Sequence, residues 1–421
     1  MVNTTNKDLA QPASSSTLWD VPVNSNFDII DNAFGGKTTI NVTSVATTQT
    51  FTSAQYQNLI IVFSGVLSAN LTYQIPSGVG GQWFIFNTAT GAYSLTIKTS
   101  ASGSISVIVP YNTGYTVYSD GTNVYQYGIS NNIYPIGIFA GGLTSVKSKV
   151  MDYINLSTTG NAVTFGSLET TTQLFSGASN GTRNIFGGGN TAGDTYTNDM
   201  QYITFATLND STRIGSLTVA RNSLAAVSNG TRGVFGGGTT GTVSAVMDYV
   251  TIATVGNATN FGTLATARSL LAGVSNSTRG VFGGGTTGSL SSSMSYITIA
   301  TANNSTNFGN LTVARSGLAG VSSDTVGVFG GGTTGAASAV MDYIIIATTS
   351  NATNFGNLTI ARYNLAGVSS GTVGVFGGGF TTAVSVIMDY ISLSTTSNAV
   401  AFGDLTVARQ SLAGASSYAP Q

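Results

Sequence analysis

Six copies of one short pattern constrain this chain more than any other feature. In its fullest form the pattern is GVFGGG, at Gly233–Gly238, and its phenylalanine recurs at Phe139, Phe186, Phe235, Phe282, Phe329 and Phe376. The intervals are 47, 49, 47, 47 and 47 residues. A constant period of this length marks a repeat architecture, in which each copy buries its apolar faces only against its neighbours. The repeats cover about two thirds of the chain and set the frame for every local motif within them.

Each copy carries four β signals. Taking one as the example, Leu270–Ser275, Gly280–Gly284, Met294–Ala300 and Thr306–Leu311 are short apolar or β-branched runs divided by Gly, Asn, Ser and Thr. We label them strands a, b, c and d. No run has helical spacing, and the Gly, Thr and Asn density disfavours helices. Four strands per 47 residues is the content of one β-propeller blade. Strands b and c lack clean alternation, as expected of strands buried on both faces between neighbouring blades. Small residues in strand a, as in Ala272–Gly273–Val274–Ser275, suit a position near the axis.

The first copy starts at strand b, Ile136–Gly142, with no strand a before it, and the chain ends on an unmatched strand a, Ser411–Ser417. Pairing the two closes a ring of six blades and removes the exposed edges of an open sheet. At this point the residues resemble the kelch repeat: a strand ending in glycines, a following Tyr such as Tyr249, an aromatic such as Phe261, and an Arg such as Arg268 before the next blade. Phe261, Phe308, Phe355 and Phe402 stand where that repeat usually has Trp, a third Gly is added, and Asp precedes Tyr. The resemblance spans residues 136–417 and implies an architecture, not a function.

The first 130 residues have a different character. Trp19–Gly36 reads WDVPVNSNFDIIDNAFGG, which predicts a short helix capped by Asn24 or Ser25, with Phe27, Ile30 and Phe34 on its apolar side and Gly35 as its stop. Eight strands are expected after it: Thr39–Val42, Leu59–Phe63, Leu71–Ile75, Trp83–Asn87, Ser94–Lys98, Ser104–Ile108, Tyr115–Ser119 and Asn123–Tyr127, the last two joined at Asp120–Gly121. That pattern predicts a β-sandwich or jelly-roll. The expected organisation is an arm and helix at 1–36, a sandwich at 37–130 and a six-bladed propeller at 131–421 in an all-β chain. The Trp-Asp-Val-Pro-Val-Asn entry and the Asp120–Gly121–Thr122–Asn123–Val124 turn are similar to N-terminal modules of bacteriophage tail-fibre and tail-spike-like proteins.

That resemblance implies a virion protein, a tail fibre that binds a host receptor. Its N-terminal part would join other virion proteins, its propeller would meet a host surface glycan or protein, and its assembly would be a homo-oligomer, a trimer. It would be assembled in the bacterial cytoplasm, in keeping with a polar N-terminus that carries no secretion signal. A capsid decoration or head fibre is the alternative, and a polysaccharide depolymerase a third.

Charge and chemistry narrow the choice. Lys and Arg number 14, Asp and Glu 15, and the net charge is −1, which argues against nucleic acid as a partner. The chain has no Cys and no His. With its carboxylates scattered among turns, it is expected to be no enzyme and to hold no cofactor or metal. Two groups of residues stand out instead. The b–c loops share one face of the ring, and Asn190–Asn198 is the longest of them; Asp194 and Tyr196 there, with Lys147 and Lys149 in the neighbouring blade, are the receptor-binding candidates. The second group is an Arg before strand a and an Asp in strand c of the same blade: Arg221–Asp248, Arg315–Asp342, Arg362–Asp389 and Arg409–Asp152. Thr172 and Gln201 replace both charges in the second blade, and Arg268 faces Ser295 in the fourth. These pairs predict an ion-pair clamp across each glycine strand, in a trough left by the missing side chains.

Overall fold

The structure, a computed structural model of the chain, describes residues 2–3, 10–11, 30, 32–45, 47–90, 93–109, 113–126, 135–205 and 209–418. The chain divides into two compact units, Met1–Ile133 and Tyr134–Gln421.

The first unit packs two sheets around one apolar core. One sheet has the order Val124–Gln126, Thr113–Asp120, Gly80–Asn87, Ile60–Ser64, Lys37–Asn41; the other has Thr48–Thr50, Leu71–Ile75, Leu95–Thr99, Ser106–Val109. The two layers agree with expectation, but the strand directions are mixed. Lys37 pairs with Ile60, Ile60 with Phe84 and Leu71 with Leu95, all in parallel, so the chain returns in register every 23 or 24 residues. Strict alternation at Leu71–Ile75 tells which side chains turn inward, not which way the paired strand runs. Direction is set by the connections, which carry the chain to the opposite sheet and back before it pairs again. The core joins Phe51, Phe63 and Tyr73, with Phe63 and Tyr73 rings 4.9 Å apart, and buried Trp83 donates its indole N–H to Tyr56 O at 2.6 Å. The Asp120–Gly121 turn forms as read: Asp120 Oδ1 accepts from the N–H of Thr122 and Asn123 at 2.8 and 2.7 Å, and these bonds hold its carboxyl below the usual range.

Residues 30 and 32–35 are helical, but Phe34 is 82% exposed and Ile30 39%, so the described part of the predicted apolar side is not packed on this unit. Asn24, Ser25, Phe27 and the Trp19 entry lie outside the described residues.

The second unit is six four-stranded antiparallel sheets, one for each copy of the repeat. We number the blades by their strand b, so that Phe139 lies in blade 1 and Phe376 in blade 6. In blade 4 strands a to d are Ala272–Ser275, Arg279–Gly283, Ser293–Thr298 and Thr306–Asn310. Blade 1 is completed by the end of the chain: Gly137 pairs with Ser416, Ile138 with Ala415, Phe139 with Gly414 and Ala140 with Ala413. Ile136 adds a backbone bond from Ser417 N–H at 2.8 Å and donates its own N–H to Ser417 Oγ at 2.6 Å.

The glycines set the spacing between blades. A Cβ on Gly236, the first of its triplet, would lie 2.9 Å from the Phe282 ring of the next blade. Each strand b Phe therefore presses on the strand end of the blade before it. Ala140 takes this place in blade 1, against Phe186. The next residue, Gly237, has φ +71° and its Cβ would meet Arg268 O at 2.6 Å, so side chains are excluded there by both conformation and space.

Two closed rings of backbone hydrogen bonds run through all six blades. In the first, Gly142, Gly189, Gly238, Gly285, Gly332 and Gly379 donate to the carbonyls of Thr172, Arg221, Arg268, Arg315, Arg362 and Arg409 in the following blades, at 2.8–2.9 Å. The second lies at the start of the strands a, around the axis. Ser223 donates to Leu174, Leu270 to Ser223, Gly317 to Leu270, Asn364 to Gly317, Ser411 to Asn364 and Leu174 back to Ser411, at 2.7–2.9 Å. All six of these residues are left-handed, with φ between +54° and +64°.

Candidate functional site

The predicted charge pairs assemble in the interior. Arg221 and Asp248 approach to 2.6 Å, Arg315 and Asp342 to 2.7 Å, Arg362 and Asp389 to 2.9 Å, Arg409 and Asp152 to 2.6 Å, every side chain fully buried. Each guanidinium also donates to the carbonyl of the strand b Phe, as Arg221 does to Phe235 O at 3.1 Å. Arg315 and Arg409 reach further, to Gly331 O and Gly141 O at 2.7 and 2.9 Å. This corrects the expected trough. The space freed by the first glycine is filled by a neighbouring Phe ring, and the guanidinium is held by main-chain carbonyls of the glycine strand end. In blade 4, Arg268 keeps the same pose with Ser295 Oγ at 2.8 Å in place of a carboxylate. Burial lowers the pKa of all five arginines, opposed by the Asp where there is one; Arg268, without a carboxylate, falls to about 10.

A third member of the clamp escaped the sequence reading. Thr218, Thr312, Thr359 and Thr406 donate their hydroxyls to the second oxygen of Asp248, Asp342, Asp389 and Asp152. Each stands three residues before its Arg, and the signal was present: blade 4, which has Ser295 for Asp, also has Ala265 for this Thr. A second missed set is Arg183, Arg232 and Arg279. These lie over Tyr202, Tyr249 and Tyr296, 4.2–4.4 Å from the ring centroids, and donate to carbonyls of the next blade.

Blade 2 departs from this scheme. Thr172 and Gln201 are buried, and a neutral network replaces the clamp: Gln201 Oε1 accepts from Glu169 N–H at 2.9 Å and Ser211 Oγ at 2.6 Å, while Gln201 Nε2 donates to Thr170 Oγ1 at 3.1 Å. The segment that elsewhere carries the buried Arg is here rich in threonine and lies beside the long b–c loop. Gly193 and Asp194 at that loop's tip both have positive φ, 72° and 57°, conformations open to Gly and Asp. Lys147 of blade 1 reaches the tip, Nζ to Asp194 Oδ1 at 2.6 Å. Lys149 donates to Glu169 O at 2.8 Å. An open groove of about 470 Å³ runs between these elements, lined by Lys149, Glu169, Thr171, Thr191, Tyr196 and Asp199 among others. Asp199 is paired with Arg213 at 2.5 Å.

The four receptor-binding candidates therefore fall together. Lys149 and Tyr196 line the groove, and Lys147 and Asp194 tie the same two blades together. Both exposed ion pairs among the described residues lie here. The groove joins an aromatic ring, threonine hydroxyls and three charged side chains, of which Asp199 is ion-paired and Lys149 bonds a backbone carbonyl, a surface fitted to hydrogen bonding and stacking. Among the described residues no group of three or more His, Cys, Asp or Glu could hold a metal ion, and no helix is long and apolar enough to cross a membrane. No protein-family model and no curated protein matches the chain. What stands established is a small two-sheet domain followed by a six-bladed propeller, an architecture consistent with an interaction module.

Proposed function

We propose that the chain is a receptor-binding protein of a bacteriophage particle. Its N-terminal unit attaches to the virion, and the b–c face of its kelch-like propeller meets a molecule of the host surface. One observation carries the reading: in blade 2 the loss of the clamp, the longer loop and the exposed ion pairs all converge on a single groove. Blade 4 also departs from the clamp, at Ser295 and Ala265, but keeps the common 47-residue repeat and carries neither exposed ion pair; blade 2 alone combines all three departures. Loops on a rigid scaffold are also where binding residues concentrate. The near-zero net charge fits recognition by hydrogen bonds and stacking better than by electrostatic attraction.

The test uses the full-length protein, fluorescently labelled and bound to host cells. Replacing Lys147, Asp194 and Tyr196 together by Ala should weaken binding at least tenfold while circular dichroism stays unchanged. Undiminished binding would remove the groove from the reading. Gold labelling of intact particles separates the alternatives: label on the tail supports adsorption, and label on the head makes the chain a decoration or head fibre.

A further inference from the structure

The six strands a enclose a second space, an axial cavity of about 210 Å³. Its wall is polar without being charged. In an antiparallel ladder, alternate residues turn both backbone groups away from the partner strand. Ser417 bonds to Ile136 within blade 1, so Ser416 and Gly414 are the residues turned toward the axis. The same alternation turns Gly177, Ala226, Gly273, Gly320 and Gly367 inward in the other blades. All six are partly exposed, and all but Gly177 stand between buried neighbours. The six inward residues thus turn their N–H and C=O groups toward the axis, and the carbonyls of Ala226, Gly273, Gly320, Gly367 and Gly414 lie close against the glycine of the neighbouring strand a. Below it, at the a–b end, stands a ring of serines: Ser179, Ser228, Ser275, Ser322, Ser369 and Ser416.

One side chain breaks the symmetry. Asn184 stands where the other five blades have Gly137, Gly233, Gly280, Gly327 and Gly374. It lines the cavity beside Gly177, is fully buried, and neither its amide nitrogen nor its amide oxygen has a partner in the protein. A buried amide left unpaired is costly, so a position that is Gly elsewhere asks for a compensating contact. Tyr418 covers the a–b end. From blade 1 its ring passes Gly371 of blade 6, and its hydroxyl donates to Asp324 of blade 5.

We infer that the axial cavity is a binding site, distinct from the groove, for one small neutral polyhydroxylated molecule of single-sugar size. A charged ligand would meet no counter-charge in the wall. An apolar one would leave the ring of donors and acceptors unpaired. Hydroxyl groups both donate and accept, and so match a wall that alternates the two. The volume is several times the roughly 30 Å³ share of one water molecule. Tyr418 is the gate, since displacing its side chain uncovers the serine ring without disturbing a blade.

The test is titration calorimetry and saturation-transfer NMR on the full chain with glycerol, glucose and N-acetylglucosamine, and with glucuronate and glucosamine as charged comparators. The expected result is one-site binding of at least one neutral probe and none of the charged pair. Tyr418→Ala should raise its association rate at least tenfold. Asn184→Gly, native in five blades, should weaken binding about tenfold, with Asn184→Ala as a second variant if the first is unstable. The Lys149→Ala/Tyr196→Ala double variant should leave binding unchanged. The inference is overturned if no neutral probe binds wild type or Tyr418→Ala, which makes the cavity a water site only. It is equally overturned if binding follows the groove variant and ignores Tyr418 and Asn184.

Discussion

Arg268 offers the sharpest test of what the clamp contributes. It is buried like its four counterparts but faces Ser295 rather than a carboxylate. The fall of its pKa from 12.5 to about 10 corresponds to roughly 3 kcal/mol of disfavoured charge, at about 1.4 kcal/mol per tenfold. Ser295→Asp supplies the missing carboxylate in the geometry seen for Asp342. The new Asp brings its own desolvation cost, so only part of that figure is recovered, and we expect stabilisation of about 1–2 kcal/mol at pH 7. Adding Ala265→Thr completes the triad and should contribute about 0.5–1.5 kcal/mol more by satisfying the second oxygen. The mirror change, Asp342→Ser, should destabilise by about 3 kcal/mol, the lower end for breaking a buried pair, because Ser keeps one bond to the guanidinium. Urea unfolding followed by far-ultraviolet circular dichroism reads the propeller; both tryptophans, Trp19 and Trp83, lie in the first unit, so indole fluorescence reports that unit separately. The reasoning fails if Ser295→Asp lowers stability, or if Asp342→Ser costs under about 0.5 kcal/mol, within the usual range of surface substitutions.

Four further outcomes follow. Removing residues 410–421 strips strand a from blade 1 and should abolish cooperative unfolding of the propeller while Trp fluorescence of the first unit is retained. Gly236→Ala should cost about 1–2 kcal/mol, since Ala140 already occupies that place in blade 1, whereas Gly237→Ala should cost more than about 3 kcal/mol through combined strain and overlap; equal effects would refute the division of roles. Ser223→Gly relieves a left-handed serine and should be neutral or stabilising by up to about 1 kcal/mol, measured by thermal unfolding. Burial, with Asp324 beside it, raises the Tyr418 pKa above its ordinary 10.0. A phenol whose pKa is higher in the folded state contributes stability that is full below about pH 10 and fades as pH rises through the folded value. Proteolysis of the last residues should therefore accelerate only above about pH 10, and Tyr418→Phe should remove that pH dependence.

The propeller was legible because one constraint repeats six times. A spacing near 47 residues fixes strand content, and a strand a missing at the first copy and surplus after the last fixes the closure, whichever residues fill the blades. The pairing of Arg221 with Asp248 could be read because departures from it coincide at Thr172 and Gln201. The same logic held for Thr218 and its counterparts, whose departure at Ala265 went unread, since a Thr in a threonine-rich chain attracts no notice. The glycine trough was misjudged because the residue that fills the space, Phe282 for Gly236, belongs to the next blade, and sequence within one repeat contains no inter-blade distance. In the first unit, alternation at Leu71–Ile75 located the buried side chains, but parallel pairing depends on connections whose geometry the local pattern does not encode. The groove lay between these extremes. Its residues were identifiable as departures from the repeat, while their meeting across two blades required the ring.

The hydrogen-bonded circle around the axis has a consequence for how the protein fails. An open stack of repeats frays from its ends, where each terminal unit has one neighbour, and can lose units one at a time. Here Leu174 N–H returns to Ser411, so no blade is terminal and all six bonds run in the same rotational sense. Opening any one of them turns a loop into a line and exposes two new edges at once. Partial unfolding therefore gains little chain entropy at the cost of two interfaces, and the domain should come apart as a whole or not at all. Such all-or-none loss favours long survival over graded wear.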